Sequence, residues 1–193
     1  VFVNGIEFST NGTTIKLDDG TVSQGDLRVG MVVRVDGSID NKQAATITVD
    51  DAVKGRVENV LDANRLVVMG QTVLIDNQTQ RANNVVPAIN DYLEVHGLVS
   101  ADGVISAGFI ERKTTLPSPP FAVKGFVKNH DTAASTFVVG TLTVSYANAT
   151  RNDMPAGSWN GLLVDVKGTA CAGQPVCATL AASKVERGGA SIA

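Results

Sequence analysis

The sequence predicts an all-β protein made of three tandem small OB-like barrels, the first lacking its opening strand. Three observations lead there. Aromatic residues make up only 5 % of the chain while glycine appears 19 times, a balance suited to short strands and tight turns. Apolar residues recur at every second position in several runs, the period of half-buried strands. The chain also repeats itself: "AVKG" stands at Ala52–Gly55 and again at Ala122–Gly125, and a fixed period marks units that fold alike.

Downstream of each "AVKG" the match continues. "RLVVMGQTVLI" (65–75) aligns with "TFVVGTLTVSY" (136–146), and "VFVNGIEF" (1–8) is a third copy, so that Gly5, Gly70 and Gly140 coincide. Next, "MVVRVDG", "YLEVHG" and "LLVDVKG" place Val33 and Val35, Leu93 and Val95, and Val164 and Val166 in register, each run closing on Gly37, Gly97 or Gly168. Between those apolar positions stand Arg34, Glu94 and Asp165, so one face reads as apolar and the other as charged and solvent-facing. Each unit ends in a further alternating run: "ATITVDD", "GVISAGFIERK" and "CATLAASKVERG". Ala101-Asp102-Gly103 supplies a hairpin turn in which glycine takes the positive φ.

In the second unit these runs predict strands at about 53–60, 65–69, 72–76, 92–99 and 104–112. The connector "NQTQRANNVVPAIND" is expected to form one helical turn. Five strands with a segment inserted between the third and fourth is the order of an OB-type barrel, with a small sandwich as the alternative. Units two and three open with "VKGRVENV" and "VKGFVKNH", whereas unit one begins at what matches their second strand. The expectation is that residues upstream of Val1, or another chain, complete it, because an open edge exposes unpaired backbone groups. The resulting division is repeat 1 at 1–51, repeat 2 at 52–113, a Pro-rich linker at 114–121 and repeat 3 at 122–193. The linker "TTLPSPPF" is extended and stiff, so the third unit should stand apart while the first two pack closely.

Sixteen Lys and Arg against nineteen Asp and Glu give a net charge of −3, which offers no electrostatic reason to expect a polyanion. By unit the balance is −4, −1 and +2. No apolar run approaches the roughly 18 residues of a membrane helix. The chain starts at Val1, as a trimmed product would, leaving any targeting segment out of view.

Catalytic constellations are scarce, and neither a catalytic residue, a metal site nor a cofactor is expected. Of the two histidines, His96 falls in the charged-face series with Asp36 and Lys167 and reads as solvent-facing. His130 sits beside Asp131 in a turn and reads as a loop residue. The Asp18–Asp19 and Asp50–Asp51 pairs fit turns, and the sequon-like Asn77 and Asn148 fall at one place in the repeat, where turn formation explains them. Cys171 and Cys177 flank "AGQPV" in the last hairpin. Five intervening residues fit neither a redox nor a zinc motif, so a structural disulfide and an oxidising compartment are expected. Trp159 is expected in the core or at a barrel mouth. Should unit three bind a ligand by stacking, Trp159, Tyr146, Phe126 and Arg151 are the candidates. Nucleic acid is an unlikely partner, because aromatics are sparse.

The "VFVNGIEF" opening, the "LRVGMVVRVDG" run (27–37) and the recurrent "GxV…F-V-x-G" strand pair resemble a bacterial family, domain of unknown function 5666. The resemblance covers nearly all the chain in three copies, with unit three departing through its proline spacer and cysteine insertion. It implies a tandem OB-like β protein carried behind a lipoprotein-type signal, hence periplasmic or envelope-anchored, touching a membrane only through an N-terminal lipid absent from this chain. It brings no catalytic motif.

Two function classes follow. One is a non-catalytic envelope module that binds or scaffolds a protein, glycan or small ligand. The other is an enzyme whose site is assembled between repeats from His96, His130 and nearby carboxylates, or an OB protein for single-stranded nucleic acid or oligosaccharide.

Overall fold

The computed structural model describes residues 1–18, 20–173 and 176–189; the second acid of the Asp18–Asp19 turn lies outside them. The protein is all-β, 55 % strand and 3 % helix. Unit one carries β1 (Phe2–Val3), β2 (Ile6–Glu7), β3 (Thr14–Leu17), β4 (Gly20–Val22), β5 (Val33–Ser38) and β6 (Gln43–Val49). Unit two carries β7 (Val53–Asp62), β8 (Arg65–Val68), β9 (Gln71–Leu74), β10 (Gln80–Arg81), β11 (Tyr92–Val99) and β12 (Ile105–Arg112). Unit three carries β13 (Phe121–Asp131), β14 (Thr136–Val139), β15 (Leu142–Ser145), β16 (Thr150–Asn152), β17 (Leu163–Ala172) and β18 (Thr179–Arg187). The connector of unit two holds the expected single turn, a 3-10 helix at Ala82–Asn84, and unit one has its counterpart at Gln24–Asp26.

The strands are wound as a β-solenoid of about five turns, and this corrects the expectation of three separate OB-type barrels. Between units two and three the ladders do not stop at the border. In unit two β7 pairs with β8, β8 with β9, β9 in parallel with β12, β12 with β11, and β11 with β7. Unit three repeats the series from β13 to β18. β7 and β13 then pair with each other, Val53 opposite Val123, so twelve strands form one continuous sheet. Alternation within a strand is blind to which ladder its edges join, which is why separate units could be read where winding is continuous.

The same pairing overturns the expectation that the Pro-rich spacer holds unit three apart. One apolar core runs from Ala52 to Val185 across units two and three. The two β8–β9 and β14–β15 hairpins also meet: the Thr141 amide donates to the Gly70 carbonyl at 3.0 Å, and the buried Gln71 amide donates to the Val139 carbonyl at 2.8 Å. Unit one keeps a smaller core of Phe8, Ile15, Ala44 and Ile47 under the sheet β4-β3-β6-β5.

Gly37, Gly97 and Gly168 close the matching runs for a common reason. Each sits at a register shift between its strand and the next, and a Cβ there would lie 2.2 Å from Gln43 O, 2.3 Å from Ser106 O and 2.5 Å from Leu180 Cδ1 respectively. The bulge presses backbone against the facing strand, and only glycine leaves room.

The charged face is the second correction. β11 is buried on both sides from Tyr92 through Gly97, and Glu94, His96, Asp165 and Lys54 lie inside the protein. That face of units two and three is covered by side chains of neighbouring units, so polarity at alternate positions marks an inter-unit ionic layer here.

Candidate functional site

Lys54 and Lys124 are the lysines of the two "AVKG" copies. Antiparallel pairing of β7 with β11 sets Lys54 opposite Glu94, and pairing of β13 with β17 sets Lys124 opposite Asp165. From these positions an ionic network spreads through the interior. Lys54 Nζ reaches Asp18 of unit one and lies 3.1 Å from Asp51 Oδ2. His96 comes next, its Nδ1 3.5 Å from Asp51 Oδ1 and its Nε2 3.2 Å from Glu94 Oε1. Glu94 Oε2 is 3.2 Å from Lys113 Nζ, itself 2.7 Å from Glu111. In parallel, Lys124 lies 3.4 Å from Asp50 and 3.3 Å from Asp165.

Burial and mutual charge distort these acids and bases in opposite senses. Asp51 is pushed up to about 7 by its removal from water, with Glu94 adding to the rise and His96 and Lys54 opposing it. For Glu94, burial also works upward, but His96 together with Lys113 outweighs it and holds the carboxyl at about 2. His96 loses by burial and gains more from Glu94 and Asp51, so its imidazole is raised above the ordinary histidine value. Asp165 is pushed up to about 6 by burial, against the pull of Lys124. Burial therefore favours the proton on Asp51, while the Glu94 carboxylate favours the imidazolium form of His96.

Both oxygens of Asp51, His96 Nε2 and the Tyr92 hydroxyl lack a partner with hydrogen-bond geometry. Asp51, Glu94 and His96 bring one donor atom each within 4.8 Å of one another, one nitrogen and two carboxylates that would suit a transition ion. Two features argue for ion pairing instead: the carboxylates face opposite ring nitrogens, and Lys54 already places a cation 3.1 Å from Asp51. The ends of the network open into clefts. One of about 270 Å³, between units one and three, is lined by Asp18, Arg34, Asp50, Asp165 and Lys184. The other, of about 430 Å³, lies between units one and two against Arg28, Glu94, Phe109, Glu111 and Lys113.

Of the ligand-stacking candidates, Tyr146, Trp159 and Arg151 do converge, on a shallow pocket of about 200 Å³, and His130 joins them there. Phe126 does not; it lies beside Gly70, Gly140 and Lys128 in another depression. His130 is not the loop residue expected, since it is the last residue but one of β13, with its ring stacked on Trp159 at 4.4 Å. The Trp159 amide donates to His130 Nδ1 at 3.0 Å, which fixes the proton on Nε2, and that nitrogen donates to the Tyr146 hydroxyl at 2.8 Å. Trp159 is a core residue, 4 % exposed, its indole N–H donating to the Pro155 carbonyl. Cys171 and Cys177 form a disulfide, their Cα atoms 5.5 Å apart across the last hairpin.

Residue-by-residue reading missed Lys54, took Asp51 for a turn residue, and placed Glu94, His96 and Asp165 on a solvent-facing strand face, whereas all five are buried. A signal was present: the lysines of the two "AVKG" copies match acids, Glu94 and Asp165, at one position of a later repeated run.

The sequence model of one family, described as a domain of unknown function (DUF5666), matches residues 1–50 and 54–111. The chain belongs to that family. The two DUF5666 segments coincide with units one and two and meet at Asp51 to Val53, where the buried network begins. Neither curated proteins nor solved structures give a match.

Proposed function

We propose that this DUF5666 protein is a non-catalytic binding or scaffolding module of the cell envelope, acting through the clefts between its units on a glycan, protein or small polar ligand. The observation that carries this reading is what the ionisable side chains touch. His96 is fully buried between Asp51 and Glu94, and both ring nitrogens of His130 are engaged by Trp159 and Tyr146. A general base needs a ring nitrogen within reach of a substrate proton, and these nitrogens face the protein's own groups. His96 joins unit two to Asp51 of unit one, His130 braces the inside of unit three, and the polar walls of the clefts are what remains for a partner. The Cys171–Cys177 pair supports export to an oxidising compartment.

The test is to titrate the purified protein with peptidoglycan fragments, oligosaccharides and divalent metal salts, reading thermal shift and amide chemical shifts. A saturable response to an organic ligand, with amides of the clefts moving, is the expected result. A large stabilisation by a divalent metal alone, abolished in Asp51→Asn, would replace this reading with a metal-dependent one.

A further inference from the structure

Unit three holds a pocket of its own, apart from the clefts between units. It opens where the end of β13 and its turn, the residue after β15, and β16 meet the loop that precedes β17, and its volume is about 200 Å³. The indole in its wall is not a platform for a ligand to stack on. Trp159 is 4 % exposed, with His130 stacked at 4.4 Å and Tyr146 and Phe137 against it at 4.6 and 5.9 Å. Hydrogen-bond donors are what the pocket presents instead.

The Trp159 amide donates to His130 Nδ1, and His130 Nε2–H donates to the Tyr146 oxygen. Burial lowers His130 from its ordinary value, which keeps the imidazole in the neutral form this relay needs. The Tyr146 hydroxyl therefore accepts from inside and keeps its own proton to give away. Arg151 is exposed, and among the described residues its guanidinium has no hydrogen-bond or ion-pair partner. It is close enough to Tyr146 for its charge to oppose the rise that burial gives the phenol. Thr132 and Ser135 add two hydroxyls to the lining, and Pro155 and Ala156 add apolar surface. Among the described residues no carboxylate shares that lining: Asp131 Oδ1 accepts from the Ala133 and Ala134 amides, and Asp153 lines the cleft between units one and three.

We infer that this pocket is a binding site for a sugar acid, a single pyranose ring carrying a carboxylate. Arg151 receives the carboxylate, because a guanidinium fork matches its two oxygens, and the Tyr146 hydroxyl donates to the same group. The ring hydroxyls meet Thr132 and Ser135, and the C–H face of the ring rests on Pro155 and Ala156. Charge selects the anion: one unpaired cation with no acid beside it repels a cationic ligand and balances a single negative charge, whereas a phosphate brings up to about two. Size selects one ring, because drug-sized ligands occupy pockets of about 300 Å³ and more.

The test titrates the whole protein with glucuronate, glucose and acetate, followed by NMR. Glucuronate should saturate near a Kd of about 1 mM, the affinity open to so small a ligand, and should move the signals of His130, Arg151 and Trp159. Glucose has the ring without the charge and acetate the charge without the ring, so each should bind at least about tenfold more weakly. Arg151→Gln should weaken glucuronate about tenfold and Tyr146→Phe about fivefold. Lys128→Gln, an exposed cation beside Phe126 in another depression, should change nothing. The Trp159 indole N–H should keep its shift in Arg151→Gln, so that weaker binding there reports a lost contact. Absence of saturable glucuronate binding, acetate or glucose binding as tightly, or affinity unmoved by Arg151→Gln overturns the inference. So does a displaced Trp159 signal in Arg151→Gln, since Arg151 would then hold the pocket in shape and not the ligand.

Discussion

His96 Nδ1 lies 3.5 Å from Asp51 Oδ1, and neither side chain reaches solvent. Asp51 lies in the connector between β6 and β7 and His96 in β11, 45 positions further on, and with Glu94 on the opposite ring nitrogen they join that connector to the middle of β11. Because burial raises Asp51 while the acids raise His96, this joint takes up protons in the folded state that the unfolded chain would not hold at the same pH.

The sign of the pH dependence follows. Asp51 rises from 3.8 to about 7 on folding, so its contribution is fully present below its unfolded value and is lost as pH climbs through 7. His96, also raised, acts in the same direction: its contribution is present below 6.5 and is lost above. Glu94, lowered from 4.5 to about 2, acts oppositely and is lost as pH falls below 4.5. Thermal unfolding followed by circular dichroism should give its highest Tm in mildly acidic buffer, between these limits, and a lower Tm at pH 8. In Asp51→Asn the fall between pH 5.5 and pH 8 should shrink; an unchanged fall would assign it to other groups.

Lys54 is completely buried, its ammonium against Asp18 and Asp51. Lys54→Met keeps the volume but leaves both acids without their cation. Removing one partner of a buried pair costs about 3 kcal/mol or more, which denaturant unfolding should register as a lower midpoint. Adding Asp51→Asn to Lys54→Met should recover part of that loss, because the second change removes the stranded charge.

Gly97→Ala tests the bulge. With Ser106 O only 2.3 Å from the new Cβ, the facing strands must part, at a cost of about 2 kcal/mol. The same substitution at Gly103, whose Cβ meets nothing within 4 Å but whose φ is +88°, should cost about 1 kcal/mol through backbone strain alone. Equal losses at both sites would show that contact with the facing strand does not matter.

Tyr146→Phe deletes the acceptor of the His130 Nε2 proton and should cost about 1 kcal/mol. Trp159→Ala removes the indole from between His130, Tyr146 and Phe137 and should cost about 4 kcal/mol.

Reduction of the Cys171–Cys177 bond, which closes a loop with a sequence separation of 6, should lower stability by about 2 kcal/mol. The change is read as a drop in Tm on adding reductant, absent in Cys171→Ser/Cys177→Ser.

What the linear chain determined is local. The period-two runs placed β7, β8, β9, β11 and β12 within one or two residues of their observed bounds, and the repeat aligned Gly37, Gly97 and Gly168 as the ends of matching runs. Cysteine spacing gave the disulfide for the same reason, since a hairpin brings its own ends together.

Tertiary structure alone decided what lay on the other side of each strand. Alternation says that Leu93 and Val95 share a face, and leaves open whether Glu94 and His96 meet water or another unit. The pairing of β7 with β13 and the approach of unit one settled that they are buried, turning a solvated face into an ionic joint. Backbone edges carry no side-chain signature, so the chain could not show which ladders run on between units, and a wound solenoid reads in sequence like a row of separate barrels.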